Sequence, residues 1–536
     1  MKHWMIGSVA AAALLTACGG GGSDDADTEV AVTETQVGSG EVRLPGLTLR
    51  SGDAAEASDA LAALSLTDGS PGRIGFGSKT TDGANATFND VTFIVPDEEN
   101  GEVPIRAASL ELVGLEMTDS GPGFSQMTLS DISVSPPDGE DAEVNVGSIQ
   151  LTNPSPALAA WVSTLMGSGE PADFPAAEDV SFDGLSLANL VASGEDEDGG
   201  GQLNISSIDL RGMGPDKLQA IVLEGMSASA RDEDEGMDIS FSVDSMRLAG
   251  ADTSFLAGLQ DIDDEDEFAA VMAQFTSQNP LDPGYDTALI ENLAFDAGGV
   301  SFAMPSVEGT VTRDAQGRAV RNVTKPFQMT LSADPNGPAG SQLAGPLQQL
   351  GYDELEFSVA QDVEIDPDTD TVNTSAAGNY FALKDGFRLS GGGQLSGVSD
   401  FYGAFTDPEF LEAADSDPTA MLGALSSLTL YDMEIVFEDQ SIFEKGLQLA
   451  AAMSGEDPES LKGQMQLGVG FLPLMGAQAG IDAEILTELS GALSSFLADP
   501  GTLTLKFDPE TPVTADTFAD PSQITKSSLG FSASAE

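Results

Sequence analysis

Carboxylates are the residues of this chain best placed to do chemistry. Asp366, Asp368 and Asp370, in the run Asp366-Pro-Asp-Thr-Asp-Thr371, alternate as the first three acids of a calcium loop do, and clustered carboxylates suit a hard divalent cation. The run then departs from that pattern. Thr371 stands where the sharp turn requires glycine, and Ala377 where a bidentate glutamate belongs. Calcium is therefore the only cofactor these acids admit, and no metal site is assigned to them. Carboxylates alone can also hydrolyse glycosides, given an acid and a base or nucleophile at a set separation. Sugar sites want aromatic platforms, and beyond residue 17 the chain has one tryptophan, Trp161, and five tyrosines. A carboxylate-only hydrolase is the least favoured reading.

Against 88 Asp and Glu stand 20 Lys and Arg, a formal net charge of -68. Nucleic-acid binding relies on Lys and Arg neutralising phosphates, so a chain this acidic is not expected to bind nucleic acid. Unaided adsorption to anionic lipid is disfavoured for the same reason. The acidic runs at 97–100, 138–143, 195–201, 231–236 and 261–267 fall in expected turns and read as a solvated surface. The one basic cluster is Arg313, Arg318, Arg321 and Lys325, around a hairpin at 308–323 whose turn is Asp314 to Gly317. Glycine there can take the positive backbone angle such a loop needs. The cluster reads as a surface strand pair or as a docking spot for acidic loops or a lipid headgroup.

The sole histidine is His3 and the sole cysteine Cys18. Lys2 and His3 open the chain, Trp4 to Leu14 is mostly apolar, and small residues follow. This is the order of a secretory signal peptide, too short to span a bilayer permanently. Cleavage before Cys18 would remove His3, and with it every Ser-His-Asp triad and the usual zinc sites. The Gly72 to Thr80 stretch is a near miss for a phosphate-binding loop, because Ser78 separates Gly77 from Lys79; it reads as coil or hairpin edge.

The exit Leu15-Thr16-Ala17-Cys18 resembles the lipobox of bacterial lipoproteins. The resemblance implies that Cys18 carries a diacylglycerol, with the chain cut before it and the new amino terminus acylated. Two acyl chains already suffice for stable anchoring, so the expected partner at this end is a membrane reached through lipid. Gly19 follows, where an aspartate in enteric lipoproteins signals inner-membrane retention; the outer membrane, facing periplasm or exterior, is the expected site. Residues 1–17 are then a signal peptide, and 18–40 a lipidated cysteine with a flexible acidic tether.

Beyond the tether, short segments alternate apolar and polar with period two: 91–95, 108–117, 127–135, 203–213 and 237–250. Such alternation, broken by Gly, Asp and Pro, predicts half-buried antiparallel strands. We expect a β-rich region over 41–300 with helices near 154–167 and 253–277, and a second β-rich region over 301–440. A helical segment and a final strand follow over 441–536, with another helix at 407–425. Ile481, Ile485, Leu489, Leu493 and Phe496 share one helical face, stopped by Pro500 and Gly501. Met453, Met465 and Met475 read as pliable core filler. A short phrase recurs, as in "VGLEM" (113), "FDGLSL" (182), "LEGMSA" (223), "IENLAF" (290) and "LSSLTL" (425), and predicts two or three divergent copies of a strand-rich unit with one helix.

The expected fold is mainly β with several helices (α+β): an extended, twisted antiparallel sheet with helices on one face. The strand rhythm over about residues 90 to 440 is similar to that of AsmA-like periplasmic proteins and related β-rich envelope proteins. That resemblance implies a non-enzymatic envelope role and carries over no functional residue. Two roles follow as expectations: a structural or interaction lipoprotein, binding an envelope protein, or a lipid-binding or lipid-transfer module with an apolar groove in a curled sheet.

Overall fold

The computed structural model describes residues 44–67, 73–97, 101–134, 142–167, 172, 174–196, 199–215, 217–232, 237–253, 281–405, 410, 427–478, 482–514, 517 and 524–536. Cys18, the leader, the tether to residue 40, and the helices expected at 253–277 and 407–425 lie outside them, apart from Thr253 and Phe410. The described chain is mainly β and antiparallel, with eight helices among the described residues. It forms two compact units: the described residues before 276 with Gly284–Phe295, and Asp296–Glu536 with the described part of Thr276–Pro283.

The first unit is a meander. Strands β1 (Ile74–Gly75) and β2 (Ser78–Asp82) both pair with β3 (Asn85–Asp97). From β3 each strand pairs antiparallel with the next, through β4 (Gly101–Val113), β7 (Gln126–Val134), β8 (Glu143–Thr152), β9 (Phe182–Asp196), β10 (Gly199–Met213), β11 (Lys217–Asp232) and β12 (Met237–Asp252). Most of β13 (Thr287–Ala297) belongs here too; Ser245 donates to Glu291 and Asn292 to Asp244. Strands β5 (Glu116–Thr118) and β6 (Gly121–Gly123) pair separately, and β6 lies against helices α1 (Ala57–Ala63) and α2 (Pro156–Met166). Ser155 caps α2 by accepting from the Leu158 N–H, with Pro156 opening the first turn, and the helix buries Leu158, Val162 and Met166.

These strands do not alternate uniformly. In β9, Leu185 and Leu187 are buried, then Leu190 and Ala192; in β4, Ala107, then Leu110 and Leu112. The parity switches in both strands of a pair at one level, where a residue of one of them takes a left-handed backbone. Asp90 (φ 54°), Asp131 (51°), Asn189 (54°), Gly225 (61°) and Asn292 (52°) do so in every second strand. The pairs on either side place each opposite a neighbour in an intervening strand: Ala108, Gly147, Ser206 or Asp244. The result is a straight file across the sheet. A one-residue parity change would ordinarily turn the apolar set to solvent; the left-handed residue absorbs it, keeping one face apolar along the strand. Asp, Asn and Gly are the types that tolerate this conformation. At Gly225 a Cβ would sit 2.2 Å from Ser206 Oγ, so glycine is required twice over.

A second file runs six residues away, through Gly114 (φ 69°), Ser125, Asn153 (47°), Asp183, Gly212 (63°), Gln219 and Gly250 (62°). Here the left-handed residues fall on the strands that lack them in the first file. Four of the five copies of the recurring phrase lie on these creases. "VGLEM" and "FDGLSL" cross the second file, and "LEGMSA" and "IENLAF" the first. The helices expected to accompany the phrase at 253–277 and 407–425 lie outside the described residues, apart from Thr253 and Phe410. The strand expected at 108–117 is interrupted at Gly114.

The second unit uses bulges instead. Strands β14 (Val300–Arg313), β15 (Ala319–Ala333) and β16 (Glu354–Asp366) pair in order, with register shifts at Thr312/Arg313 and Thr324/Phe327. Strands β17 (Thr371–Thr374) and β18 (Tyr380–Leu383) each bridge β16 to β19 (Phe387–Ser396). The sheet continues through β20 (Thr429–Asp439) to β21 (Thr502–Phe507) and β23 (Ser532–Ala535), with β22 (Val513–Thr514) also on β20. The helices are α3 (Gly340–Gln349), α4 (Val398–Phe405), α5 (Ile442–Ser454), α6 (Pro458–Gln478), α7 (Ala483–Ala498) and α8 (Lys526–Leu529).

The stretch expected to be helical over 441–499 is thus three helices. Gly455 (φ 73°) ends α5, and the Asp482 side chain caps α7 by accepting from the Glu484 N–H. On α7, Ile485 and Phe496 are buried and Leu489 is half-buried; Ile481 lies outside the described residues. The reading of the methionines as core filler is corrected for two of them. Met453 and Met465 lie on outward faces of α5 and α6 and are exposed, and the side chain of Met475 lies outside the description.

Candidate functional site

The second unit builds one broad apolar sheet face. Cross-strand neighbours share a face, and along this one they are apolar from strand to strand: Phe302 with Leu331, Met329 with Phe357, Val359 with Phe381, Leu383 with Phe387, Leu389 with Phe437, and Ile435 with Leu505. Alternate residues face the other way and are polar: Lys384 pairs with Glu356 at 2.5 Å, and the Arg388 guanidinium lies 3.8 Å from the Tyr380 ring centre. The sheet is therefore amphipathic, as alternation in "LEFSV", "YFAL", "FRL", "MEIVF" and "TLTLKF" dictates.

Rings line this face. Phe357 stacks on Phe381 at 5.3 Å, Phe381 meets Phe387 at 5.9 Å, and Phe387 stacks on Phe437 at 5.8 Å. At one end Phe496 of α7 sits edge-on against Phe437 and against Phe443 of α5. Helix α7 also lies along β21 and β23, and α3 against β15. Away from Phe496 the covering is incomplete: Phe381 is 37% exposed and Leu389 41%. These two are register partners in adjacent strands, so together they form a single apolar opening. Most of the other side chains on the face are only partly buried. Such a surface can hold an apolar chain by burial alone, and it offers no charged group to chemistry.

The residues singled out in the sequence lie toward the hairpin end of β14, β15 and β16, and two of the sets come together there. Arg318 Nη1 donates to Asp368 Oδ1 at 2.9 Å and Nη2 contacts Asp314 at 2.8 Å, so the basic hairpin and the acidic turn neutralise each other. Arg313 holds Asp282 through both terminal nitrogens at 2.8 and 2.7 Å, Arg321 grips Asp362 at 2.9 and 2.7 Å, and Lys325 meets Glu308 at 2.6 Å. Hydrogen bonding from Arg321 holds the Asp362 carboxyl below the usual carboxylate range. The acidic turn is also spoken for. A hydrogen bond from the Thr369 hydroxyl, helped by the Asp368 N–H, holds Asp366 low, while Asp370 accepts from the Ser399 hydroxyl at 2.5 Å. Among the described residues no group of three or more metal-ligating side chains forms. Cys18 lies outside them.

The sequence offered an apolar groove as one expectation without placing it. Its signal was present as alternation over 355–359, 380–389 and 433–437, but alternation marks a face without saying what covers it.

A family model described only as an uncharacterized protein matches residues 380–536, which begin at β18 and include Phe381, Leu389 and helices α4 to α8. No curated protein and no solved structure matches the chain.

Proposed function

We propose that this chain is a lipid-anchored protein of the bacterial cell envelope whose second unit takes a lipid acyl chain on its apolar sheet face, without catalysis. The observation that carries this is the run of apolar cross-strand pairs from β14 to β21, open at Phe381 and Leu389. In this reading α3, α5 and α7 cover the ends of the face on one side, and the tail lies between them. Aliphatic and aromatic side chains without a charge suit a methylene chain, each buried CH₂ of which contributes roughly 0.8 kcal/mol. The anchor comes from the leader: Leu15-Thr16-Ala17-Cys18 supplies the residues for diacylglyceryl transfer to the Cys18 thiol, and Gly19 favours the outer membrane. No helix among the described residues is long and apolar enough to cross a membrane.

A structural or protein-binding role without lipid is the second reading, and the tightly packed core of the first unit favours it. Native mass spectrometry on the mature chain, purified without detergent and followed by solvent extraction, separates the two. Near-stoichiometric phospholipid or fatty acid is expected, and Phe381→Asp with Leu389→Asp should abolish it. A ligand-free mass would leave the protein-binding role. For the anchor, Cys18→Ala should leave unprocessed precursor without lipid; normal processing and membrane attachment in that variant would remove it.

A further inference from the structure

Helix α6 carries a second apolar surface, on the outside of the unit. Leu467, Phe471 and Leu474 are spaced four and three residues apart, on one helical face, and are 67%, 56% and 62% exposed. We infer that this face of α6 rests on a bilayer, seating the three side chains among lipid headgroups and upper acyl chains while the helix lies in the membrane plane. The inference rests on the lipid-binding reading for its purpose, because α6 packs on α7, and α7 reaches the apolar face through Phe496.

Charge points to a lipid surface. The chain has 88 acids in 536 residues, yet none of the residues from Gly463 to Ile481 is charged. Elsewhere an approach to a bilayer drags carboxylates with it; here it does not. An uncharged apolar strip seats on zwitterionic lipid, and the lack of Lys or Arg removes any preference for anionic lipid. Helix composition agrees. Around Gly463, Gly468 and Gly470 a Cβ would meet nothing within 4 Å, so packing inside the protein does not demand glycine there. Together with Pro473 inside the helix, these glycines leave α6 with poor intrinsic propensity, and an outside surface would add the burial that the rest of the unit withholds.

The test is flotation of the chain from Gly19 onward, produced without the leader or Cys18 and hence with no acyl anchor, with phosphatidylcholine vesicles. The chain is expected to float, and Leu467→Glu/Phe471→Glu/Leu474→Glu to lower the bound fraction at least tenfold. Met465→Glu, on the opposite side of the same helix, should float as the parent does, and circular dichroism of both variants checks that α6 is retained. If the triple variant unfolds, Phe471→Trp serves instead: its emission should be quenched by brominated phosphatidylcholine. The inference is overturned if the parent stays unbound, if the triple variant floats equally, or if the three residues instead hold a dimer that forms without vesicles. A chain that co-purifies with lipid but does not float sinks this inference and leaves the lipid-binding reading standing; one that floats without bound lipid does the reverse.

Discussion

The two units solve the same problem differently. In the first, the apolar face is closed over β3 and β4: Phe88, Leu110 and Leu112 have no exposure, and Leu64 and Leu66, from the chain segment around α1, join the same core, while Phe295 of β13 is 41% exposed. In the second, a face just as apolar gathers only small clusters of fully buried residues and leaves Phe381 and Leu389 open. The first bends its strands with left-handed residues in register across the sheet; the second relies on bulges in individual strands. Alternation alone does not decide whether a sheet face becomes a core or a binding surface. What decides it is whether something else in the chain is available to lie on it.

The sharpest way to break this contrast is a matched truncation. Leu110→Ala is expected to destabilise the first unit by about 2–5 kcal/mol, the cost of a cavity in a tight core, and Phe381→Ala to cost well under half of that, because its side chain is already partly in water. Hydrogen exchange resolved by unit reads both. Equal costs would mean that the second face is closed. Next in size is the crease: Gly225→Val forces a β-branched side chain into a left-handed backbone against Ser206, for about 1–3 kcal/mol, whereas Asp131→Gly should be close to neutral. If valine at 225 is tolerated, the files do not shape the sheet.

Smaller effects sharpen the electrostatic side. Arg321→Gln should change thermal stability less than either core or crease substitution, since its pair with Asp362 is largely solvated. The smallest is a pH signature of opposite sign in the two units. Asp362 of the second is held low by Arg321, so its contribution is full above the ordinary carboxylate value, about 3.9, and is lost as pH falls through its lower folded value. Asp209 of the first is pushed up by burial, Arg211 opposing, so its site loses stability as pH rises from the ordinary value through the raised one. Carboxyl NMR titration should place the two midpoints on opposite sides of 3.9; midpoints on the same side would reject the assignment.

Much of this was legible in the residues. Period-two alternation located β7, β10 and β12, Asp314 to Gly317 located the hairpin turn, and Pro156 and Pro500 bracketed helices. The creases were visible only as an echo, because a left-handed residue shifts the apolar set by one and reads as a broken strand: Leu185 and Leu187 are odd-numbered, Leu190 and Ala192 even. The apolar opening was illegible for a different reason. Sequence shows which side of Phe381 is greasy, whereas its exposure depends on what else in the chain lies on that side. The basic cluster was legible as a surface strand pair but its partners were not, since those for Arg313 and Arg321 come from Asp282 and Asp362, 31 and 41 residues away.

The two files have a consequence for how such a sheet can change length. Their offset is six residues in each strand from β4 to β12, and the left-handed position passes from one file to the other between neighbours. A hairpin removed or copied whole therefore takes one bend of each kind with it, and the strands brought together still meet in step. A single strand removed would set two bends of the same kind side by side. Descent by duplication should lengthen or shorten this unit in steps of two strands, with no repair needed at the joint.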